Sequence, residues 1–276
     1  MRQTEYMEQL LAESPEAAFL LRLAKRAGPF DPGCEAGIAA YTQRFLDLHG
    51  VGIAEAYLVY EAFIRSYNKD IAAFAETGSY PHALRGTVSP IDRLDYDLVL
   101  LLSCIFSPHR RRIMDLLHRW TTETRTAAFV GCGPGLEIAL LKERFQRVEA
   151  FDLDLNPRLA DLHGDVAFFE EAFPSPRGQT PLDAVFLIEI LEHLDAPDAL
   201  LADAAGALGP GGRLYLTTAT NIPQFDHLYN FSEDHAVFER RLGELGLRID
   251  RVEILTHQYM DIEIGAKNHV YALTRV

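Results

Sequence analysis

The sequence predicts an α/β protein, a mostly parallel sheet with helices on both faces, preceded by a helical section. Three observations carry this. An apolar run, Ala127 to Val130, breaks into Gly131-Cys132-Gly133-Pro134-Gly135, and a helical pattern resumes from Leu136 to Arg144, the strand, turn, helix order of a nucleotide-binding unit. Beyond it, strand-length apolar runs alternate with helical patterns to the end of the chain, which is how parallel sheets are built. Before it, from Thr4 to about Trp120, the pattern is helical with no alternating strand runs. The expected division is 1–120, a helical lid or dimerisation subdomain, and 121–276, the α/β domain.

In chain order, Ser14-Pro15-Glu16 reads as an N-cap with proline at the first helical position, and Gly28 to Gly33 ends that helix. Helices follow over Glu35 to His49 and Ile53 to about Phe74. Gly78 to Pro90 reads as loop, and Asp92 to Trp120 as one or two helices, with a break at Ser107-Pro108. Strands are expected at Ala127 to Val130, Val148 to Phe151, Val166 to Phe169, Ala184 to Ile188, Leu214 to Thr218, Ile249 to Leu255 and Val270 to Leu273. Helices lie between them at Leu136 to Arg144, Asp198 to Leu208 and His235 to Leu245, with only a stub after Asp152. Tyr57, Tyr60, Tyr67, Asn68, Lys69, Tyr80 and His82 form a dense aromatic and polar set in the front section. They suit either packing on the sheet or a lid over a pocket.

At 276 residues with 48% hydrophobic content the chain supports a sizeable core. Lys and Arg number 26 against 40 Asp and Glu, a formal charge of −14. That balance disfavours nucleic acid and acidic membranes as partners, since both need clustered cations. The one basic run, His109 to Arg112, reads as a solvated helix start. Cys34, Cys104 and Cys132 show no CxxC spacing, so neither a disulfide framework nor a zinc-thiolate site is expected. The first 19 residues carry acids throughout, and Leu98 to Phe106 is too short to span a bilayer. A soluble, cytoplasmic protein is the expectation.

Glycines let a backbone come within contact distance of a ligand, and the helix behind them offers unpaired N–H groups. The second strand ends in Asp152, at the distance from the glycines where a carboxylate meets ribose hydroxyls. Ligands in such sheets bind outside the carboxyl ends of the strands. That rule gathers Gly131 to Gly135, Asp152, Glu171, Glu189 to His193, Ala219 to Tyr229 and His257 to Tyr259 at one mouth.

FVGCGPG, AFDLD, DAVFLIEILEHL and LGPGGRLYLTTATN, in that order and spacing, resemble the successive motifs of class I S-adenosylmethionine-dependent methyltransferases. The resemblance runs from Thr126 to the C-terminus. It implies a Rossmann-like, seven-stranded, mostly parallel sheet whose last two strands form an antiparallel hairpin. It also implies S-adenosylmethionine bound by Gly131, Cys132, Gly133, Gly135, Asp152 and Glu189, with Glu170 or Glu171 as candidates on the adenine side.

Glu189, Glu192 and His193 form an E-x-x-E-H motif after the fourth strand, and helical spacing would set all three on one face. The motif is similar to the metal motif of small-RNA 2′-O-methyltransferases and of ubiquinone-pathway O-methyltransferases. Their further histidine is matched by His227, with His235 as a substitute. That resemblance implies a site of Glu189, Glu192, His193 and His227 for Mg²⁺ or another divalent metal. The other reading is metal-free: His193 or His227 as general base, Asp226 orienting His227, and Tyr229 and Tyr259 facing the sulfonium. Structural roles for these side chains stand beside both.

The expected activity is methyl transfer from S-adenosylmethionine to a small molecule, in biosynthesis of a specialised kind, with or without a metal. Alternatives are aminocarboxypropyl transfer, cyclisation of the donor releasing methylthioadenosine, and a non-catalytic donor-binding protein. A homodimer is compatible with all of them.

Overall fold

The computed structural model describes residues 14–25, 30–81, 91–174, 181–257 and 262–276. Among the described residues five helices come first: α1 (Pro15–Lys25), α2 (Pro32–His49), α3 (Ile53–Thr77), α4 (Arg93–Phe106) and α5 (Pro108–Trp120). Their ends follow from local chemistry. Ser14 Oγ accepts from the Ala17 amide, Asp31 caps the Cys34 amide at 2.9 Å and Asp92 caps that of Leu94. Gly50 and Gly78 close α2 and α3 in the left-handed conformation. Pro108 has no N–H to donate, so Ser107 goes extended and the chain breaks there into two helices. His82 and Tyr259 lie outside the described residues, as does most of the loop after Gly78.

The sheet holds β1 (Thr124–Val130), β2 (Phe145–Asp152), β3 (Ala167–Glu170), β4 (Leu182–Leu187), β5 (Leu208–Thr220), β6 (Leu247–Thr256) and β7 (Lys267–Arg275). The order is β3-β2-β1-β4-β5-β7-β6, with β7 antiparallel to both neighbours and the other pairs parallel. Connecting helices are α6 (Leu136–Leu141), α7 (Leu159–Leu162), α8 (Pro197–Ala207) and α9 (His235–Glu244). The predicted helix to Arg144 stops earlier, its last turn tightening to 3-10 form over Lys142–Arg144. The stub expected after Asp152 is the four-residue α7.

Alternation along the strands builds the two cores. Ala127 and Phe129 of β1, Val148 and Ala150 of β2, and Ala184 and Phe186 of β4 pack with α2, α4, α5 and α6. Their sequence neighbours Ala128, Val130, Phe151, Val185 and Leu187 face the other way, onto α8 and α9. The front helices thus share one core with a face of the sheet. No described helix is long and apolar enough to cross a membrane.

Candidate active site

A cavity of about 340 Å³ opens at the carboxyl ends of β1, β2 and β4, between the sheet and the front helices. At its floor the chain turns through Gly131, Gly133 and Gly135, all at positive φ. A Cβ on Gly131 would meet Ile190 Cδ1 at 2.2 Å, so no larger residue fits that turn. Asp152 Oδ2 accepts from the Gly133 amide at 3.0 Å and Oδ1 from Asp154 at 3.2 Å, which fixes the carboxylate at the rim. Cys132, Glu189, Glu192, His193 and His227 line the same cavity.

The wall opposite comes from the front section. Tyr60, Phe63, Ile64 and Tyr67 present one helical face of α3 to the cavity, and Arg93, Tyr96, Leu100 and Ser103 do so from α4. Arg93 lies 3.1 Å from Asp97 and 3.8 Å from Asp152, so a cation faces the predicted ribose acid.

His109 to Arg112 is not a solvated helix start. Arg110 and Arg111 are buried. Arg111 bonds Glu35 and the Ile105 carbonyl, and Arg112 bonds Glu253 and Asp115. Arg110 points into the cavity, 3.4 Å from Glu189 and 3.9 Å from Glu137. Burial opposes its charge, but Cys104, Glu189 and Glu137 outweigh that and raise its pKa further. Burial also raises the Glu137 carboxyl. Basic character alone carried no sign of this role.

The E-x-x-E-H motif does not form one helical face. Glu189 takes left-handed backbone, φ 51, with its amide on Thr217 Oγ1 at 2.6 Å, and only Leu191–His193 make a 3-10 turn. Its carboxylate turns to Asn268 Nδ2, 2.9 Å, and to Arg110. Glu192, His193 and His227 do converge, with ligand atoms within 4.8 Å of one another. Among the described residues neither carboxylate oxygen of Glu192 has a hydrogen-bond partner, and the residue is fully buried. Burial and the charge of Glu189 push it up to about 8.

Asp226 orients His193 rather than its neighbour His227. His193 Nδ1 lies 3.1 Å from the Asp226 carbonyl and 3.5 Å from Oδ2. Asp226 also accepts from the Tyr96 hydroxyl at 2.6 Å and from Gln224 at 2.8 Å. Burial disfavours both charges, yet Asp226 and Glu192 raise the His193 pKa above its usual value, while His193 and His227 hold Asp226 below its own.

The remaining predicted residues lie elsewhere. The Tyr229 ring packs on Phe231 in the core beneath α9, not toward the cavity, because the Tyr229 amide is drawn back to the Glu192 carbonyl. His235 bonds Tyr271 and Glu239. Glu170 and Glu171, at the end of β3, are not among the cavity-lining residues.

A parallel sheet with a glycine turn, a strand-end acid and an antiparallel last hairpin defines the class of nucleotide-binding α/β proteins in which the cavity faces the strand ends. Residues 110–247, half of the chain, match the family described as Methyltransferase domain, and the chain belongs to that family. It is similar to a ubiquinone biosynthesis O-methyltransferase of Xylella fastidiosa, 36% identical over 99 residues that make up 32% of this chain and 39% of that protein. A protein of the same name from Xanthomonas oryzae is 36% identical over 108 residues, 34% of this chain and 43% of that protein. The match spans less than half the length of these relatives. Among solved structures, 1,6-didemethyltoxoflavin-N1-methyltransferase of Burkholderia thailandensis superposes with a TM-score of 0.52 at 18% identity, covering 72% of this chain and 91% of that one. Geranyl diphosphate C-methyltransferase of Streptomyces coelicolor superposes at 0.50 and 18%, covering 76% and 98%. At these identities it is the fold that is shared.

Proposed function

We propose that the protein transfers a methyl group from S-adenosylmethionine to a small-molecule acceptor held between α3, α4 and the Glu192, His193, His227 cluster. The observation that carries this is one cavity lined both by the glycine turn with Asp152 and by that cluster. Asp152 is placed to accept both ribose hydroxyls, and Arg110 to meet the donor's carboxylate between the ends of β1 and β4. Arg93 neutralises part of the acidic rim without occupying the carboxylate's hydrogen bonds.

The acceptor needs to be aligned with the methyl group and to lose a proton. His193 is suited to take it. A backbone carbonyl only accepts, so the neutral ring carries its proton on Nδ1 toward Asp226 and presents the Nε2 lone pair. Asp226, itself fixed by Tyr96 and Gln224, stabilises the imidazolium that forms. Aromatic side chains of α3 close the cavity against water.

A second reading adds a divalent metal, and Glu192 favours it. Two buried carboxylate oxygens without partners among the described residues, beside two imidazoles, form a donor set that a hard or borderline cation satisfies. Glu192, His193 and His227 would hold it; Glu189, committed to Asn268 and Arg110, would not. Such an ion would bring paired acceptor oxygens together and make them more acidic. His193 would then serve as ligand through Nε2, still oriented by Asp226.

The test is isothermal titration of chelator-treated protein with S-adenosylmethionine, with and without Mg²⁺ or Zn²⁺, followed by mass analysis of the donor-derived product. S-adenosylhomocysteine as product supports methyl transfer. Absence of donor binding sinks the reading, and methylthioadenosine would replace it with chemistry on the donor's other arm. Metal binding lost in His193→Ala and His227→Ala separates the two mechanisms.

A further inference from the structure

Tyr41, in the middle of α2, is buried behind the glycine turn, and its hydroxyl donates to the Pro134 carbonyl at 2.5 Å. His163, just after α7, lies with Nε2 2.9 Å from the same hydroxyl, the two rings stacked with centroids 5.2 Å apart. With the Tyr41 proton committed to a carbonyl, its oxygen is left to accept, and His163 must donate from Nε2. Burial, with Lys142 and Arg44 nearby, pushes His163 down to about 4, so the ring is neutral at pH 7.

This three-membered relay reaches the turn at close quarters. A Cβ on Gly135 would lie 2.9 Å from His163 Nε2 and 3.0 Å from the Tyr41 hydroxyl. The Pro134 carbonyl and the Gly135 amide share one peptide plane, so holding the first orients the second. The Gly135 amide closes the turn on the Cys132 carbonyl at 2.9 Å.

The same helix reaches the other side of the donor site from its C-terminal end. His49 Nε2 lies 3.4 Å from Asn156 Nδ2, which donates to Asp97 at 2.7 Å. Asp97 holds Arg93, Arg93 faces Asp152, and Asp152 receives the Gly133 amide. Helix α2 therefore touches the turn at Pro134 and, through four side chains, at Gly133.

We infer that α2 is a buttress for the donor-binding turn, with Tyr41 a positioning residue that holds Pro134 so that the turn is shaped before the donor arrives. This rests on the donor reading above. Its consequence is that the front section serves two substrates with different helices: α3 lines the acceptor's end, and α2 preorganises the donor's.

The experiment compares the parent protein with Tyr41→Phe, which deletes one oxygen from an otherwise unchanged ring, and with Leu46→Val, a core change on the same helix. Two quantities are read: amide hydrogen exchange at Gly133 and Gly135 in ligand-free protein, and the Kd for S-adenosylhomocysteine by titration. Tyr41→Phe is expected to speed exchange at both glycines and to weaken Kd by about five- to tenfold, the loss of one buried hydrogen bond. Leu46→Val is expected to lower Tm and leave both quantities unchanged. His163→Gln, which keeps an N–H donor, should have a smaller effect than His163→Leu. Unaltered exchange in Tyr41→Phe with a Kd within twofold of the parent overturns the inference, as does an equal effect from Leu46→Val. If the parent binds no S-adenosylhomocysteine the donor reading fails, and the exchange rates still decide whether Tyr41 holds the turn.

Discussion

Two carboxyls beside one imidazole shift in opposite directions. Burial and the charge of Glu189 push Glu192 up to about 8, whereas Asp226, against burial, is held below the usual carboxylate range by His193, His227, Tyr96 and Gln224. The difference lies in partners rather than in burial, since both groups are deeply enclosed. Asp226→Asn removes the largest of the influences that together outweigh desolvation of His193, so the His193 pKa should fall, as read from ring-proton NMR of chelator-treated protein. A pKa that stays or rises would contradict the orienting role given to Asp226. Asp152→Ala should weaken S-adenosylhomocysteine binding by about 10- to 100-fold, the loss of charged hydrogen bonds to two hydroxyls. Titration calorimetry checks it, and an unchanged Kd would remove Asp152 from the donor site.

Helix α5 shows how one element delivers different chemistry from adjacent positions. Its first turn sends Arg110 into the cavity, Arg111 to α2 and Arg112 to β6. Arg110→Gln removes the buried cation that faces half-buried Glu137 and Glu189, which should cost about 3 kcal/mol by denaturant titration. Arg65→Gln, at the exposed pair with Glu61, should cost no more than about 1 kcal/mol. Equal losses would mean that Arg110 is not the compensating charge. The glycine turn, Asp152, the α4 to α5 break at Pro108 and the seven strands were legible because each is written in neighbouring residues. Arg110 was not, because HRRR has the same composition whether solvated or buried, and its carboxylate partners sit in α6 and after β4. The motif around Glu189 misled for a related reason. Helical spacing presumes a helix, but Thr217 of the adjacent strand holds the Glu189 amide in a left-handed turn. Asp226 was recognised as an orienting acid, yet chain adjacency pointed to His227, and only the folded loop shows His193 as its partner.

At the scale of the molecule, His163, His257 and His269 are held down to about 4, in each case chiefly by burial. Unfolded, each titrates near 6.5, so between about pH 6.5 and 4 the unfolded chain binds more protons than the native one. Stability from these groups is complete above that window and is lost as pH falls through it. Thermal melts at pH 7.5, 6 and 5 should show a falling Tm, with a shallower fall in His257→Gln; a Tm independent of pH would contradict the assignment. The position of β7 has a consequence for synthesis. Among the described residues it follows every other strand yet lies inside the sheet, between β5 and β6. From it, Asn268 grips Glu189 and accepts His257, and His257 stacks on His109 at the mouth of α5. A nascent chain therefore carries its nucleotide-binding turn long before it has a finished floor beneath Glu189. Completion of the sheet and completion of the cavity are one event, timed by the arrival of the same nine residues.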